Sequence, residues 1–365
     1  MDSEAELTIV KIGSAVTRAE SGGLDTDALA RLVEQMATLH AEGRAVCLVS
    51  SGAVAAGRDV LGAAPPARRS EIIADRQVCA AVGQIELMAF YRKAFAKHGI
   101  EVAQVLATRS DFASRRHYLN MRQCVSALLA RGILPIINEN DVVSVSELMF
   151  TDNDELAGLL AAMLAADRLM LLTNVDGVFD GPPDAAGSRI ISDWSKAGSK
   201  PRLEPAGSSD FGRGGIQTKI RNAEKLAALG TEVWIANGRR PDVVTQAQTG
   251  AAVGTRFPRS DRRASGHRRW IAGAPKKEQA GVVINDGAEA VLRSPDRLAS
   301  LLPVGVVSVE GEFQRGDVVP IMNAALEVVA YGRAEQSSET VRAHVGQRNR
   351  RPVVHYDYLF VLESS

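Results

Sequence analysis

Short apolar runs alternate with helical patterns along the first two-thirds of the chain. β-branched residues predict strands at 7–12, 45–50, 102–107, 133–138, 169–173 and 232–236. Apolar residues at helical spacing predict two stripes that pack on a sheet: Leu29, Leu32, Val33, Met36 and Leu39 in one, and Val78, Val82, Ile85 and Met88 in the other. This alternation predicts an α/β domain with a doubly wound, mostly parallel sheet.

The pattern changes after Gly254. Residues 256–277 are rich in arginine and lysine and contain Gly and Pro, which predicts a basic linker at 258–274. Beyond it, short strands with turn residues are predicted at 281–285, 304–309, 317–322 and 326–332. The expected organisation is therefore an α/β domain at 1–257, the linker, and a small mostly-β barrel domain at 275–365.

Composition excludes some classes of function. The 365 residues are 45% hydrophobic, and 43 basic residues balance 43 acidic ones, so no global charge favours nucleic acid or an anionic membrane. The three cysteines form no CxxC pattern, which is typical of reduced thiols in the cytosol. The start lacks a signal-peptide pattern, and the near-apolar block at 156–166 is too short to span a bilayer. We expect a soluble cytoplasmic protein without a membrane partner.

Polar residues follow several predicted strands at the point where each strand ends. Lys11 lies at the end of the first strand, Ser51 follows the second, Asn138 ends the fourth, and Thr173 with Asn174 ends the fifth. Ligands of open α/β sheets bind in the crevice at the carboxyl ends of the strands. A single polar strand end is ordinarily a solvated terminus or helix cap. The convergence of several polar strand ends on one side of the sheet predicts one pocket.

The segment GRGGIQTK at 212–219 has the composition of a phosphate-binding loop. Its glycines allow the backbone to approach an anion, and the apolar spacing after Ile216 predicts that a helix begins there. The order of Thr218 and Lys219 excludes a Walker motif, which ends in Gly-Lys-Ser/Thr. A glycine cluster before a helix is often only a tight connection.

Lys11 and Lys219 suit a reaction in which negative charge spreads over a phosphoryl group in transfer. A carboxylate acceptor needs no general base, because it is already ionised at neutral pH. The six histidines show neither HxxH nor HExxH spacing, and no metal site made by protein ligands is predicted. Asp152 and Asp154 precede an apolar helix, where one is expected to cap the helix and the other to hold two ammonium groups.

Five motifs in this order resemble the glutamate 5-kinases of the amino acid kinase family. They are KIGS at 11–14, SSGAVAAG at 50–57, INEND at 137–141, TDNDELA at 151–157 and GRGGIQTK at 212–219. The C-terminal segment is similar to a PUA domain through LLPVGV at 301–306 and GEFQRGDVV at 311–319. The resemblance covers nearly the whole chain.

The resemblance implies ATP-dependent phosphorylation of the γ-carboxylate of L-glutamate to γ-glutamyl phosphate, the first step of L-proline biosynthesis. It implies that Lys11 and Lys219 contact the transferred phosphoryl group and that Asp154 orients both lysines. The implied glutamate site is Ser51, Gly52, Asn138, Asp141 and Asn153, with Asp141 as partner of the α-ammonium group. Further implied properties are homo-oligomerisation and feedback inhibition by L-proline.

The resemblance also implies an ATP site that includes both lysines. Its residues are Lys11, Thr173, Asn174, Arg213, Gly214, Gly215, Ile216, Gln217, Thr218 and Lys219. Mg²⁺ is expected to be bound largely by phosphate oxygens and water. The chain departs from the family pattern here: Arg213 and Ile216 replace threonine and methionine, Asn174 replaces aspartate, and Thr151 replaces glycine. We expect Arg213 to point to solvent rather than to phosphate.

Alternative functions remain open from the sequence. A sister kinase acting on aspartate, N-acetylglutamate, carbamate or a nucleoside phosphate would share the sheet and the lysines, but should lack the NEND motif and the PUA-like tail. An RNA-binding function is suggested by the basic linker and the PUA-like domain, although the linker has little aromatic interleaving. The barrel domain is otherwise expected to stabilise or regulate the kinase.

Overall fold

Six consecutive buried residues, LTIVKI, form the first strand, β1 (Leu7–Ile12). This strand is paired in parallel with a strand on each side, so neither of its edges is exposed. Helices cover the sheet, and side chains on both faces of β1 are therefore buried. Lys11 is the charged member of this strand and is only 5% exposed.

A computed structural model gives two compact units, Met1–Arg263 and Ala264–Ser365. The structure describes residues 5–19, 22–62, 72–143, 153–182, 187–197, 215–261, 264–273, 280–294 and 299–362. Each unit has a hydrophobic core of its own.

The first unit alternates strands and helices as predicted. Its further strands are β2 (Ala45–Ser50), β3 (Val102–Ala107), β4 (Leu134–Glu139), β5 (Arg168–Thr173), β6 (Glu232–Asn237) and β7 (Gly254–Phe257). Its helices are α1 (Ser14–Thr17), α2 (Thr26–Ala41), α3 (Ala53–Leu61), α4 (Ile72–Ala96), α5 (Arg109–Ala113), α6 (Arg115–Leu129), α7 (Asn153–Leu164), α8 (Ile216–Ala228) and α9 (Val243–Gln248). The predicted strands agree with β1 to β6 to within one residue at each end.

The sheet of this unit has the strand order β3-β4-β2-β1-β5-β6-β7 among the described residues. All neighbours pair in parallel except β7, which is antiparallel to β6. On one side of β1 the chain forms β2, then the edge strand β3, and then β4 between them, and it crosses to the other side of β1 at β5. The prediction of a doubly wound, mostly parallel sheet is confirmed, and β7 is the strand that the sequence did not indicate.

The two predicted helical stripes have different outcomes. All five apolar residues predicted for α2 are buried against the sheet. The stripe predicted for α4 is wrong, because Val78 and Ile85 are 55% and 70% exposed. The helix buries another face instead, which includes Cys79, Gly83 and Leu87. Apolar residues lie all around α4, so their spacing did not identify the buried side.

Glycines set the close contact between α3 and α4. A Cβ atom on Gly83 would lie 1.9 Å from the main-chain oxygen of Ala53, and one on Gly57 would lie 1.8 Å from that of Cys79. Any larger side chain would force the helices apart. This contact fixes the position of α4 beside the sheet.

A buried ion cluster lies at the amino ends of β5 and β6, away from the predicted pocket. Glu232 accepts from Arg168 Nε at 2.8 Å, from Arg256 Nε at 2.8 Å and from the Trp234 indole at 3.0 Å. Burial by itself would raise the pKa of Glu232, but these donors lower it. The cluster joins β5, β6 and β7 and is structural.

The second unit is rich in strands, as predicted. Its elements are α10 (Gly266–Gly273), β8 (Gly281–Ile284), α11 (Asp286–Arg293), β9 (Val306–Glu310), β10 (Val318–Met322), β11 (Val328–Ala334), α12 (Ser338–His344) and β12 (Val354–Val361). The described strands form a sheet in the order β12-β11-β10-β8-β9, in which only the β10–β8 pair is parallel. Val282, Phe313 and Ile321 lie in its core.

The predicted basic linker is partly helical. Residues 266–273 form α10, in which Trp270 and Ile271 are buried, so this segment contributes to the second unit rather than only joining the two. The predicted domain boundaries otherwise stay predictions. None of the helices in the described ranges has the length and apolar character needed to cross a membrane.

Candidate active site

Four strands bring their carboxyl ends to one edge of the first unit's sheet. β4, β2, β1 and β5 are parallel neighbours in that order. Lys11, Ser51, Asn138 and Thr173 therefore lie along the same edge. The crossover from β4 to β5 makes this a topological switch point, where open α/β sheets bind their ligands.

Asp154 lies between two lysine ammonium groups at this edge. Lys11 of β1 pairs with its Oδ1, and Lys219 in the first turn of α8 pairs with its Oδ2. The exposed fractions of the Lys11, Asp154 and Lys219 side chains are 6%, 3% and 13%. Two cations and one anion leave a net charge of +1, so this cluster is suited to receive a further anion.

The carboxyl group of Asp154 stays ionised in this environment. Burial by itself would raise its pKa, but the charges of Lys11 and Lys219 and the hydrogen bonds they donate lower the pKa to about 2. Asp154 therefore holds both ammonium groups as a permanent anion at neutral pH.

Asn153, at the start of α7, connects the ends of two strands, β2 and β4. Its Nδ2 lies within hydrogen-bond distance of the main-chain oxygen of Ser50 at 3.0 Å, Ser51 Oγ at 2.9 Å and Asn138 Oδ1 at 3.1 Å. Because Asp154 follows directly in the chain, this network also fixes the base of the lysine cluster. Asp152, the other acidic residue considered before this helix, lies outside the described residues.

Asn138 connects this hydrogen-bond network to α4. Its Oδ1 also accepts from the Glu139 amide at 2.8 Å, and its Nδ2 donates to Gln84 Oε1 at 2.9 Å. The other polar atom of the Gln84 amide, Nε2, is buried and has no hydrogen-bond partner among the described residues. A buried donor of this kind is costly unless a ligand accepts from it.

Gly52 allows the chain to turn from β2 into α3. Its φ of 117° lies in the left-handed region that favours glycine, and no described side chain caps the helix that follows. α3 therefore begins directly after the carboxyl end of β2, and the first N–H groups of a helix are suited to bind an anion.

Asp141 lies in the turn after β4 and is paired with an arginine of α4. Nε and Nη2 of Arg76 donate to Asp141 Oδ1 at 3.1 and 2.8 Å. The neighbouring Gln77 donates to the main-chain oxygen of Val142 at 2.8 Å. The turn that carries Asp141 is thus fastened to the same helix that carries Gln84.

Comparison with known families agrees with this geometry. The model of the amino acid kinase family matches residues 6–237, and that of the PUA domain matches residues 281–354. The chain belongs to the amino acid kinase family.

Relatives of this amino acid kinase match it along nearly its whole length. It is 44% identical over 356 residues to a protein named glutamate 5-kinase from Chlorobaculum tepidum, and the matched region covers 97% of each chain. It is 41% identical over 363 residues to a protein of the same name from Bacteroides thetaiotaomicron, covering 99% of this chain and all of that one.

The residues predicted on the nucleotide side of the kinase are only partly described. α8 begins at Ile216, as the glycine loop predicted, with Gly215 at its N-cap position and no capping hydrogen bond from a described side chain. Thr173 and Asn174 lie at the end of β5, where Thr173 Oγ1 donates to Asn174 Oδ1 at 3.3 Å. Arg213 and Gly214 lie outside the described residues, and Gln217 and Thr218 follow in the first turn of α8.

The kinase site contains polar residues that the sequence analysis missed. Arg76 and Gln84 lie two helical turns apart on α4 and reach Asp141 and Asn138. The signal available in the sequence was a pair of polar positions eight residues apart, among other polar residues of α4 such as Asp75, Gln77 and Glu86. The apolar positions do not orient α4, because they lie all around the helix.

The PUA domain of the kinase has a cleft of its own, of about 910 Å³. Its lining includes Arg315, Arg333, Arg350 and Arg351. The Arg333 guanidinium lies 3.5 Å from the centre of the Tyr358 ring. Arg333 also pairs with Glu335 at 2.5 Å, so acidic groups offset part of the positive charge.

Proposed function

We propose that this amino acid kinase transfers the γ-phosphoryl group of ATP to the γ-carboxylate of L-glutamate, producing γ-glutamyl phosphate for L-proline biosynthesis. The observation that carries the proposal is the cluster of Lys11, Asp154 and Lys219, formed beside the amide network of Asn153 and Asn138. The similarity to proteins named glutamate 5-kinase along nearly the whole chain supports the choice of acceptor.

The acceptor is proposed to bind along the amide network. Its γ-carboxylate carries one negative charge and lies next to the lysine cluster, whose net charge is +1. Ser51, Asn138, Asn153 and the N–H groups that follow Gly52 supply hydrogen-bond donors for glutamate oxygens. Asp141 is proposed to accept from the α-ammonium group at the other end of the molecule.

The transfer step needs charge stabilisation rather than proton abstraction. A γ-carboxylate oxygen attacks the γ-phosphorus, the new O–P bond forms, and the bond to the β,γ-bridging oxygen breaks to release ADP. The attacking group is already ionised at neutral pH. Lys11 and Lys219 neutralise the charge on the phosphoryl oxygens in flight, and ionised Asp154 keeps both lysines in place.

ATP is proposed to lie between the end of β5 and the start of α8. Thr173 and Asn174 border this space, and the uncapped N–H groups after Gly215 are suited to phosphate oxygens. Asp154 is committed to two lysines, so a Mg²⁺ ion would be held mainly by phosphate oxygens and water, and it would offset phosphate charge there.

The acceptor is tested by measuring ADP release with L-glutamate, L-aspartate and N-acetyl-L-glutamate, and by trapping the acyl phosphate as a hydroxamate. We expect ADP release and hydroxamate with glutamate in preference to the other two. A preference for aspartate or N-acetylglutamate would replace the substrate with that of a sister kinase.

The role of Lys219 is tested by the substitution Lys219→Ala. Loss of a charge that stabilises the transition state should lower kcat by at least about a hundredfold. Arg221→Ala is the matched control, because Arg221 is an exposed cation on the same helix. Similar kcat values for the Lys219 variant and the unsubstituted protein would remove Lys219 from the catalytic set.

Association into a homo-oligomer is proposed from the exposed apolar face of α4. Val78 and Ile85 lie two turns apart on this face and are 55% and 70% exposed. A solvent-facing apolar stripe of this kind favours burial against another protein surface. Light scattering of the purified protein and of Ile85→Glu tests this, and a monomer in both cases would exclude it.

Inhibition by L-proline is proposed because proline has the same α-carboxylate and α-ammonium pair as glutamate. If it occupies the acceptor pocket, glutamate should relieve the inhibition competitively. Initial rates at several proline and glutamate concentrations distinguish this from inhibition at another site.

A second candidate function is RNA binding by the PUA domain. The four arginines in its cleft favour this function, since arginine binds phosphate and stacks on bases. Fluorescence anisotropy with labelled RNA at moderate salt tests it, and an Arg350→Ala/Arg351→Ala double variant should bind more weakly. No binding at low salt would leave the domain a stabilising or regulatory role.

A further inference from the structure

Arg76 of α4 and Asp141 in the turn after β4 form an ion pair, and Asp141 belongs to the proposed acceptor site. Arg76 directs two N–H groups to one oxygen of Asp141, with donor–acceptor distances of 3.1 and 2.8 Å. The Asp141 side chain is 9% exposed and that of Arg76 is 32% exposed. The pair is therefore partly covered by protein but reachable from solvent.

The pair leaves one atom of each partner available. Both contacts involve Asp141 Oδ1, and Oδ2 has no partner within the described residues. Nη1 of Arg76 likewise makes no hydrogen bond to a described residue. One acceptor oxygen of Asp141 and one donor nitrogen of Arg76 therefore remain for a ligand, beyond the bonds that join the two residues.

A purely structural role for the pair is the alternative explanation. The turn at 141–143 is already fastened to α4, because Gln77 donates to the main-chain oxygen of Val142 at 2.8 Å. Asn140 donates through its backbone N–H to the main-chain oxygen of Ala107 at 2.9 Å, which holds the turn from the other side. The tether does not require an arginine at position 76.

We propose that Arg76 binds the α-carboxylate of the acceptor amino acid while Asp141 binds its α-ammonium group. Arginine N–H groups and a carboxylate are well matched in geometry and charge. The arginine thereby becomes a specificity-determining residue, which requires the acceptor to carry both charges of an α-amino acid. This inference rests on the proposed function, because it assumes that glutamate occupies this pocket.

Charge balance supports the assignment. An Arg–Asp pair has no net charge, as does the α-carboxylate and α-ammonium pair of an amino acid, so binding aligns two opposed dipoles without adding a charge. The single remaining charge of glutamate, on its γ-carboxylate, meets the +1 cluster of Lys11, Asp154 and Lys219. Each charged group of the acceptor thus has a partner of opposite sign.

The test compares acceptors that lack one charge each. L-Glutamic acid α-amide keeps the ammonium group but has a neutral amide in place of the α-carboxylate, and glutarate lacks the ammonium group. Initial rates with L-glutamate give kcat and KM, and each analogue is measured as a substrate and as a competitive inhibitor. The full-length protein and its Arg76→Met, Arg76→Lys and Asp141→Asn variants are used.

We expect Arg76→Met to raise KM for glutamate at least about tenfold with kcat changed by less than about threefold, because the lost contact is far from the reacting atoms. The variant should bind the α-amide as the unsubstituted protein does, so its preference for glutamate over the α-amide should shrink by about the same factor. Arg76→Lys keeps the charge and should recover part of the preference.

Asp141→Asn should give the complementary pattern. This substitution should weaken the binding of glutamate and of the α-amide alike, since both carry the ammonium group. The binding of glutarate should stay unchanged. Arg58→Met is the matched control, because Arg58 makes a similar pair with Asp75 at 2.9 Å without contacting Asp141. Circular dichroism and melting temperatures confirm that each variant is folded, and Arg76→Gln replaces Arg76→Met if the latter does not fold.

Two outcomes would overturn the inference. One is an unchanged preference for glutamate over the α-amide in Arg76→Met. The other is an equal loss of affinity for glutamate and for the α-amide in this variant, which is the effect expected if Arg76 is only a structural tether. Failure of the proposed function is distinguishable, because the unsubstituted protein would then form no hydroxamate with glutamate at all.

Discussion

The side-chain amide of Asn222 donates a hydrogen bond to the main-chain oxygen of Asp154 at 2.9 Å. Lys219 lies one turn earlier on the same helix, α8, and reaches the side-chain carboxylate of Asp154. Gly158 of α7 leaves room for this contact, because a Cβ atom there would lie 2.6 Å from the Asn222 side chain. The bond from Asn222 thus sets the register of α8 against α7 and positions Lys219.

Asn222→Ala should lower kcat about tenfold and change KM for glutamate little, because Lys219 would lose its fixed position while the acceptor network stays intact. Steady-state kinetics measure both constants. Glu86→Ala is the control for a surface substitution, because the Glu86 side chain is exposed on α4. A rise in KM with an unchanged kcat would show that Asn222 acts on the acceptor pocket instead.

Ionised Asp154 should make stability depend on acid pH. Its folded-state pKa of about 2 is below the ordinary value of 3.8, so its contribution is complete above pH 4 and is lost as pH falls from about 4 to 2. The difference corresponds to about 2 kcal/mol in the free energy of unfolding. Unfolding in urea between pH 5 and pH 2 should therefore show a steeper loss of stability for the unsubstituted protein than for Asp154→Asn.

The same substitution should also destabilise the protein at neutral pH, by about 3 kcal/mol, because two buried lysines lose their counter-ion. Equal pH slopes for the two proteins would contradict the assignment of a depressed pKa to Asp154.

Gln84→Leu should raise KM for the acceptor about tenfold, since Asn138 would lose the acceptor for its Nδ2 and the pocket would lose a buried donor. Gln84→Glu keeps an oxygen for Asn138 but places a negative charge near an anionic acceptor, so it should raise KM at least as much. Initial-rate kinetics test both. Values of KM equal to that of the unsubstituted protein would place Gln84 outside the acceptor pocket.

Gly83→Ala should destabilise the protein by at least about 2 kcal/mol, because the added methyl group overlaps the backbone of α3. Moving α4 away would also shift Arg76 and Gln84, so KM for glutamate should rise as well. Urea unfolding and kinetics measure the two effects. Full stability would mean that α3 and α4 can separate without cost.

The sequence was sufficient for most of the parallel sheet and for the lysine cluster. The central strands β1, β2 and β5 are largely apolar and buried, which is how covered parallel strands differ from amphipathic ones. Lys11, Asp154 and Lys219 were predicted to meet, and the geometry brings them together. The antiparallel strand β7 has four residues, too few for its pattern to be distinguished from a loop.

The rest of the site depends on tertiary contacts that the pattern does not contain. The orientation of α4 follows from Gly57 and Gly83, which let the helix approach α3 on one face only. Apolar residues around the whole helix gave no preference between faces, so Arg76 and Gln84 were not connected with Asp141 and Asn138. Asn222 was missed for a similar reason, since its partner is a main-chain atom.

The position of β1 in the sheet has a consequence for synthesis of the protein. In β1, Val10 lies opposite Leu48 on one side and opposite Met170 on the other. The edge that pairs with β2 therefore gains its partner early in synthesis. The edge that pairs with β5 gains its partner only after more than a hundred further residues have been made. At ribosomal rates this delay is on the order of 10 s. During that interval an apolar strand edge stays open to other chains. Rapid expression should therefore favour aggregation of nascent chains that end before residue 173 over those that extend beyond it.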